Sequence, residues 1–399
     1  MKRHKLTIIV AAAVIVMTVL SGCTTFNNFK DTFIDQDEKT TTVKIGVYEP
    51  QSGADEDGGK AEVRGIELAQ ELHPNVDGKI IELVYYDNAS DINAAETAIK
   101  NLIAKKPAVI LGSYGSVYSL VAGQYVREAK IPAIAMTNTN PLVTKNNPYY
   151  FRVCYVDANQ GDLLAKYILE QKKETTAGVL LPQNDDAAMA IATTFTNRIK
   201  AETGDEDAIT VYEKYTAGAD DFGEQLDAIQ QAGVKSVLLP GDTADSIAII
   251  NQAQKRNLDV VFLGDSEWSG ESFIKGLDKP VSGKNIAFVS FFTEEATSVS
   301  NEATAFLEAY QKKYGDDEEG KASAALGYDA YMIAGNAIDE VNGNIDGESI
   351  RQVLAGQNTF KGASGDITFN NVGDPIKTAY ISTWRGKSIV SLYTMMPDL

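Results

Sequence analysis

The sequence predicts an α/β protein built as two doubly wound, mostly parallel sheets in tandem. Three observations predict it. Short apolar runs alternate with amphipathic stretches, the rhythm of strand and covering helix. That rhythm runs through once and then restarts in the second half of the chain. At 399 residues, the chain is also too long for a single hydrophobic core.

The elements follow in order. Residues 43–47 read as a strand, and 59–72 as a helix with Val63, Ile66, Ala69 and Leu72 on one broad face. Strands are expected at 80–86, 108–111 and 131–136, with helices at 92–104 and 116–129 between them. Strands so covered on both faces form a parallel sheet. The restart brings a helix at 163–171, a strand at 177–181 and a helix at 187–201. Strands at 209–215, 237–239, 260–263 and 286–292 come next. Phe222, Leu226 and Ile229 mark the helix between the first two, which Gly233 caps. Ala303, Phe306, Leu307, Tyr310 and Tyr314 share one helix face, and Gly315 stops that helix.

The start of the chain has a different character. Lys2, Arg3 and Lys5 precede an apolar stretch at 6–20, which ends in Leu20-Ser21-Gly22-Cys23. Charge, then apolar residues, then small residues is the layout of a signal peptide, here 1–22, and the run is short of the ~20 residues a membrane span requires. Leu-Ser-Gly-Cys resembles the bacterial lipobox. The resemblance implies acylation of Cys23, with palmitate or a similar chain anchoring the protein to the outer face of the cell membrane, and 23–42 as a polar tether.

Composition excludes several classes. The net charge is −19, and −22 once the three leader cations are removed. An acidic surface of this kind is wrong for nucleic acid, whose phosphates require a basic stripe. Histidine occurs only as His4 and His73, and cysteine only as Cys23 and Cys154. Hence no nucleophile–histidine site, no zinc site and no internal disulfide are expected. No phosphate loop or dinucleotide-binding glycine triplet occurs. The sequence therefore points to no catalytic residues, no metal and no cofactor. Acidic runs at 55–57 and 316–319 fall between elements as solvated loops, and the first, which follows the first strand, also reads as a source of negative potential at the cleft mouth.

In open parallel sheets ligands bind beyond the carboxyl ends of the strands. Three loops there draw attention. Gly112-Ser113-Tyr114-Gly115-Ser116 leads into a helix, with Ser116 placed as an N-cap. Thr137-Asn138-Thr139-Asn140-Pro141 offers hydroxyls and carbonyls. Gly264-Asp265-Ser266-Glu267-Trp268 offers carboxylates and an aromatic wall. Each also reads as an ordinary cap or turn.

These residues, with Gly65-Ile66-Glu67-Leu68-Ala69, Tyr86 to Asp91, Phe151-Arg152-Val153, Asp157, Gln160-Gly161, Asp220-Asp221-Phe222, Tyr328-Asp329-Ala330 and Phe360-Lys361-Gly362, resemble the branched-chain amino-acid binding proteins of bacterial ABC transporters, which have the type I periplasmic-binding-protein fold. The resemblance implies two lobes joined by three crossovers, expected as 43–156 with 293–368 and 157–292 with 369–399. It implies a small-molecule ligand in the cleft and delivery to ABC permease subunits in the membrane. Ser116 is then expected to hold the ligand carboxylate, the Asn138 carbonyl and Thr139 its ammonium, and Asp265 or Glu267 the opposing charge. Tyr114 and Trp268 are expected as apolar walls. Two positions often aromatic in the family are Gly58 and Asp185 here, and a third falls near Asp242 or Thr243. Gly58 is expected to leave room, and Asp185 to add charge, which favours a polar or cationic ligand over an aliphatic one. A ligand-sensing receptor of the same fold is the alternative. Sensors are usually fused to a membrane span and an output domain, and no such segment is read before Leu399, so transport is the expectation.

Overall fold

The computed structural model describes residues 42–295, 300–315 and 320–396. The leader, Cys23, the tether up to residue 41 and the acidic run 316–319 lie outside the described residues. Among the described residues no helix is long and apolar enough to cross a membrane.

The first sheet contains β1 (Thr42–Glu49), β2 (Asn75–Val76), β3 (Lys79–Asp87), β4 (Val109–Leu111), β5 (Ala133–Ala135) and β6 (Tyr150–Arg152), in the order β2-β3-β1-β4-β5-β6. β1, β4, β5 and β6 are parallel. Their residues are almost all buried, as expected of strands covered on both faces. The second sheet has β7 (Ala177–Pro182), β8 (Ile209–Tyr215), β9 (Ser236–Leu238), β10 (Val261–Gly264) and β11 (Ile286–Ser290), all parallel. A small antiparallel sheet of β12 (Phe360–Gly362), β13 (Gly365–Phe369) and β14 (Pro375–Ile376) follows. β15 (Ala379–Arg385) and β16 (Ser388–Met395) then return antiparallel to the edge of the second sheet, beside β11. The fold is thus the expected α/β class, with an antiparallel edge that apolar periodicity did not reveal.

The chain passes between the two large sheets three times, after β6, after β11 and before β15. One buried lysine ties these passages together. Lys377 Nζ, in the third, lies 3.4 Å from the carbonyl oxygens of Val153 in the first and Phe291 in the second. It also donates to Ser364 Oγ, which donates to the buried carboxyl of Asp329. A charge buried this deeply is tolerable only with such partners.

Several elements match their sequence reading closely, notably the helix Ser116–Ala129 and strand β8. Gly233 and Gly315 stand at helix ends as expected. The helix Asp157–Tyr167 begins six residues before the expected 163, and Ile168–Lys172 continues it as a π-helix. The helix Lys321–Asp339 packs against the helix Glu56–Leu72 and is buried nearly all round. A helix without a polar face has no amphipathic period to read.

Candidate functional site

All the residues that line the main cavity belong to one compact unit, Val43–Asp77 with Ile81–Leu399. The cavity holds about 520 Å³ and lies at the carboxyl ends of strands from both sheets. From the first sheet come Asp55 after β1, Tyr114 to Ser116 after β4, and Thr137 and Thr139 after β5. From the second come Asp185 after β7, Asp242 after β9, and Asp265 to Glu267 after β10. Asp157 and Gln160 enter from the first turns of the helix that follows the first crossover.

On the first-sheet side, Gly115 caps the helix Ser116–Ala129 at φ +83°, a conformation that favours glycine. The expected cap Ser116 is instead the first helical residue. Its hydroxyl accepts from the Asn140 amide at 3.4 Å. The opening amides of this helix have no carbonyl a turn earlier to bond, and a helix start carries partial positive charge. The room expected beside Gly58 is not there. A Cβ on Gly58 would overlap the Tyr114 ring, so Tyr114 fills the space that an aromatic at position 58 would take. Below the ring, the Tyr114 amide donates to Glu49 at 2.6 Å, and the Thr137 hydroxyl donates to Glu62 at 2.6 Å. Glu49 and Glu62 are both fully buried.

Asn138 does not line the cavity. Its side chain is buried, with Oδ1 accepting from Ser119 Oγ at 3.2 Å. Its carbonyl, expected to meet a ligand ammonium, accepts from Arg152 Nη1 at 2.6 Å. Arg152 is fully buried and takes the Asn140 carbonyl at 2.8 Å as well, while its Nε pairs with Asp374 at 2.7 Å. A guanidinium offers five donors in a rigid fork and so can hold several acceptors at once. It competes successfully for the carbonyl and fixes the loop that presents Thr137 and Thr139.

On the second-sheet side, three of the carboxylates cap helical turns. Asp185 Oδ1 accepts from the Ala188 amide, and Asp242 Oδ1 from Ala244 and Asp245. Asp265 uses both oxygens, Oδ1 on the Glu267 amide and Oδ2 on the Gly241 amide. Glu267 caps nothing. Trp268, expected as a pocket wall, lies in the core. A Cβ on Gly264 would overlap its ring, which stacks on Phe273 at 4.6 Å between centroids. The glycine at the end of β10 lets the indole fold back over the strand. Phe291 lines the cavity instead, although nothing in the sequence reading marked it as more than part of a strand.

The walls therefore hold six carboxylates, Asp55, Asp157, Asp185, Asp242, Asp265 and Glu267, and no lysine, arginine or histidine among the described lining residues. Burial pushes Asp265 up to about 6. Burial, reinforced by Asp265, Asp242, Asp157 and Asp185, pushes Glu267 up to about 8, although the residue as a whole is exposed. Burial also raises Asp157, against the pull of the Thr139 hydroxyl. Beneath the cavity, burial raises Glu49 and holds Glu62 at about 7. Two carboxyl groups this close cannot both ionise cheaply, so they share a proton. Cys154 is buried, and its thiol is pushed up to about 12, which leaves it unreactive. No group of three or more metal-ligating side chains occurs among the described residues.

Two mainly parallel sheets linked by three crossovers, with a polar cavity at the strand ends, define a binding protein for small solutes rather than an enzyme. The chain belongs to the periplasmic binding protein family, whose sequence profile matches residues 42–388. It is 24% identical over 351 residues to a Leu/Ile/Val-binding protein homologue from Brucella abortus, covering 86% of this chain and 90% of that protein. A crystal structure of a leucine-binding protein from Thermotoga maritima superposes with a TM-score of 0.76 at 28% identity, covering 89% of this chain and 99% of that one. A branched-chain amino-acid transporter substrate-binding protein from Streptococcus pneumoniae, solved with isoleucine, gives 0.76 at 29%, covering 90% and 100%. Members of this family work outside the cytoplasm as solute-binding components of ABC transporters.

Proposed function

We propose that this chain is the lipid-anchored receptor of an ABC importer and binds an amino acid or a related small zwitterion in the cavity. What supports the reading is a single juxtaposition. Gly115 and Ser116, at the start of a helix, line the same cavity as Glu267, which comes from the other sheet. Amides at a helix start suit an α-carboxylate, and a carboxylate suits an α-ammonium. Ser116 and Thr139 supply the hydroxyls, and Tyr114 a wall. Asp265 adds charge beside them. The lobes of this reading are 43–156 with 293–368 and 157–292 with 369–399, which close over the ligand. The relatives that bind leucine and isoleucine make an amino acid the first class to test.

Calorimetry with a panel of amino acids tests it. At least one should bind at about micromolar strength, roughly −8 kcal/mol. Ser116→Ala and Thr139→Ala should each weaken it about tenfold, as expected when a charge-assisted hydrogen bond is lost. Unchanged affinity in both variants removes these residues from the site. The anchor is tested apart from the ligand. Cys23→Ala should release the protein from the membrane fraction and abolish palmitate labelling, and retention of both rejects acylation at Cys23.

A further inference from the structure

We propose that the ligand carries a second cationic group beyond its α-ammonium, held by Asp185 and Asp242. This rests on the reading of the cavity as an amino-acid site and specifies its substrate class as basic amino acids, with an ammonium or guanidinium at the far end.

Charge balance leads to this class. Six carboxylates line the cavity, and none of its described lining residues is cationic. A neutral amino acid brings one positive and one negative charge, so it leaves the sum unchanged. Closure around a ligand expels water, and like charges that water had screened then repel more strongly. A second cation on the ligand lowers the total without protonating any of the carboxylates.

Hydrogen bonding locates the place for it. Asp55 Oδ2 is engaged by the Tyr118 hydroxyl at 2.6 Å, and Asp265 has an amide on each oxygen. Asp157 is engaged by Thr139. Asp185 and Asp242 each cap through Oδ1 alone, so their Oδ2 atoms have no donor among the described residues. Neither carboxylate oxygen of Glu267 accepts from a described residue, which leaves Glu267 to the α-ammonium. The two free Oδ2 acceptors stand on separate loops, after β7 and β9, whose residues Asp185 and Asp242 both line the one cavity. Capping alone does not call for carboxylates here, because asparagine caps a helix about as well as aspartate and brings no charge.

The same fact makes the test clean, since Asp185→Asn and Asp242→Asn keep their caps and the fold. The full chain is titrated by calorimetry with L-lysine, L-arginine, L-leucine and putrescine, at low and at physiological salt. Lysine or arginine should bind about tenfold or more tighter than leucine, with the advantage shrinking as salt rises. Each Asn variant should cut affinity for the basic amino acid about tenfold and change affinity for leucine by about twofold or less. Tighter binding of leucine than of both basic amino acids overturns this inference and leaves the amino-acid reading standing. Unchanged affinity for the basic amino acid in both Asn variants overturns the placement. Binding of putrescine alone supports the second cation and overturns the zwitterionic reading. Binding of none of the four overturns both.

Discussion

Arg152 Nη1 donates to the carbonyl oxygen of Asn138 at 2.6 Å, and the same nitrogen donates to the Asn140 carbonyl at 2.8 Å. One guanidinium, anchored on Asp374, thus shapes the loop that carries Thr137 and Thr139 into the cavity. Arg152→Met leaves the buried Asn138 carbonyl without its donor and Asp374 without its cation, with only the Thr144 hydroxyl still donating to that carboxylate. It should cost about 3–5 kcal/mol of stability in urea unfolding, as expected for a buried pair broken on one side. Arg152→Lys should restore only part of that, because an ammonium cannot reproduce the fork.

Tyr114 takes the space above Gly58, so the two positions should be coupled. Gly58→Tyr alone should displace the Tyr114 ring and weaken ligand binding about tenfold or more. Adding Tyr114→Gly should recover much of the loss, because the new ring then occupies the vacated volume. A double-mutant cycle in calorimetry should give a coupling of about 1–3 kcal/mol, and additive effects would show that the rings do not share one site.

The Glu49–Glu62 pair gives a pH signature. The folded value of Glu62 is raised from its ordinary 4.5 to about 7, so the folded state holds a proton that the unfolded state has lost. Stability therefore falls as pH rises from about 4.5 through about 7. Glu62→Gln keeps the acceptor for Thr137 and gives Glu49 a neutral donor. It should raise stability by about 1–3 kcal/mol at pH values above 8 and change little near pH 5, as measured by thermal unfolding at both.

Glu267 predicts proton release. Raised to about 8, it is largely protonated near neutrality. An ammonium beside it favours the ionised form, so binding expels a proton. Affinity for an ammonium-bearing ligand should rise as pH increases through about 6 to 8, the values of Asp265 and Glu267. Calorimetry in two buffers of different ionisation enthalpy should report the released proton, and Glu267→Gln should remove most of it. An identical heat in both buffers would show that Glu267 does not meet the ammonium.

The sequence by itself determined the fold class, the strand-to-loop order and the loops that reach the cavity. Apolar period and turn residues act within a dozen positions, so β8 and the helix Ser116–Ala129 were legible locally. Tyr114, Thr139 and Glu267 stand on loops legible in the same way, Asp185 is marked only by the family resemblance, and all four line the cavity. The tertiary structure decided which atoms in those loops are available. Asn138 loses its carbonyl to an arginine fourteen residues on, Trp268 folds over Gly264, and Tyr114 closes the gap at Gly58. The helix Lys321–Asp339 gave no signal because every side of it is covered. The physical reason is that periodicity reports only which face of an element is apolar, whereas a hydrogen-bond partner or a packing neighbour is chosen in competition among all the residues that the fold brings together.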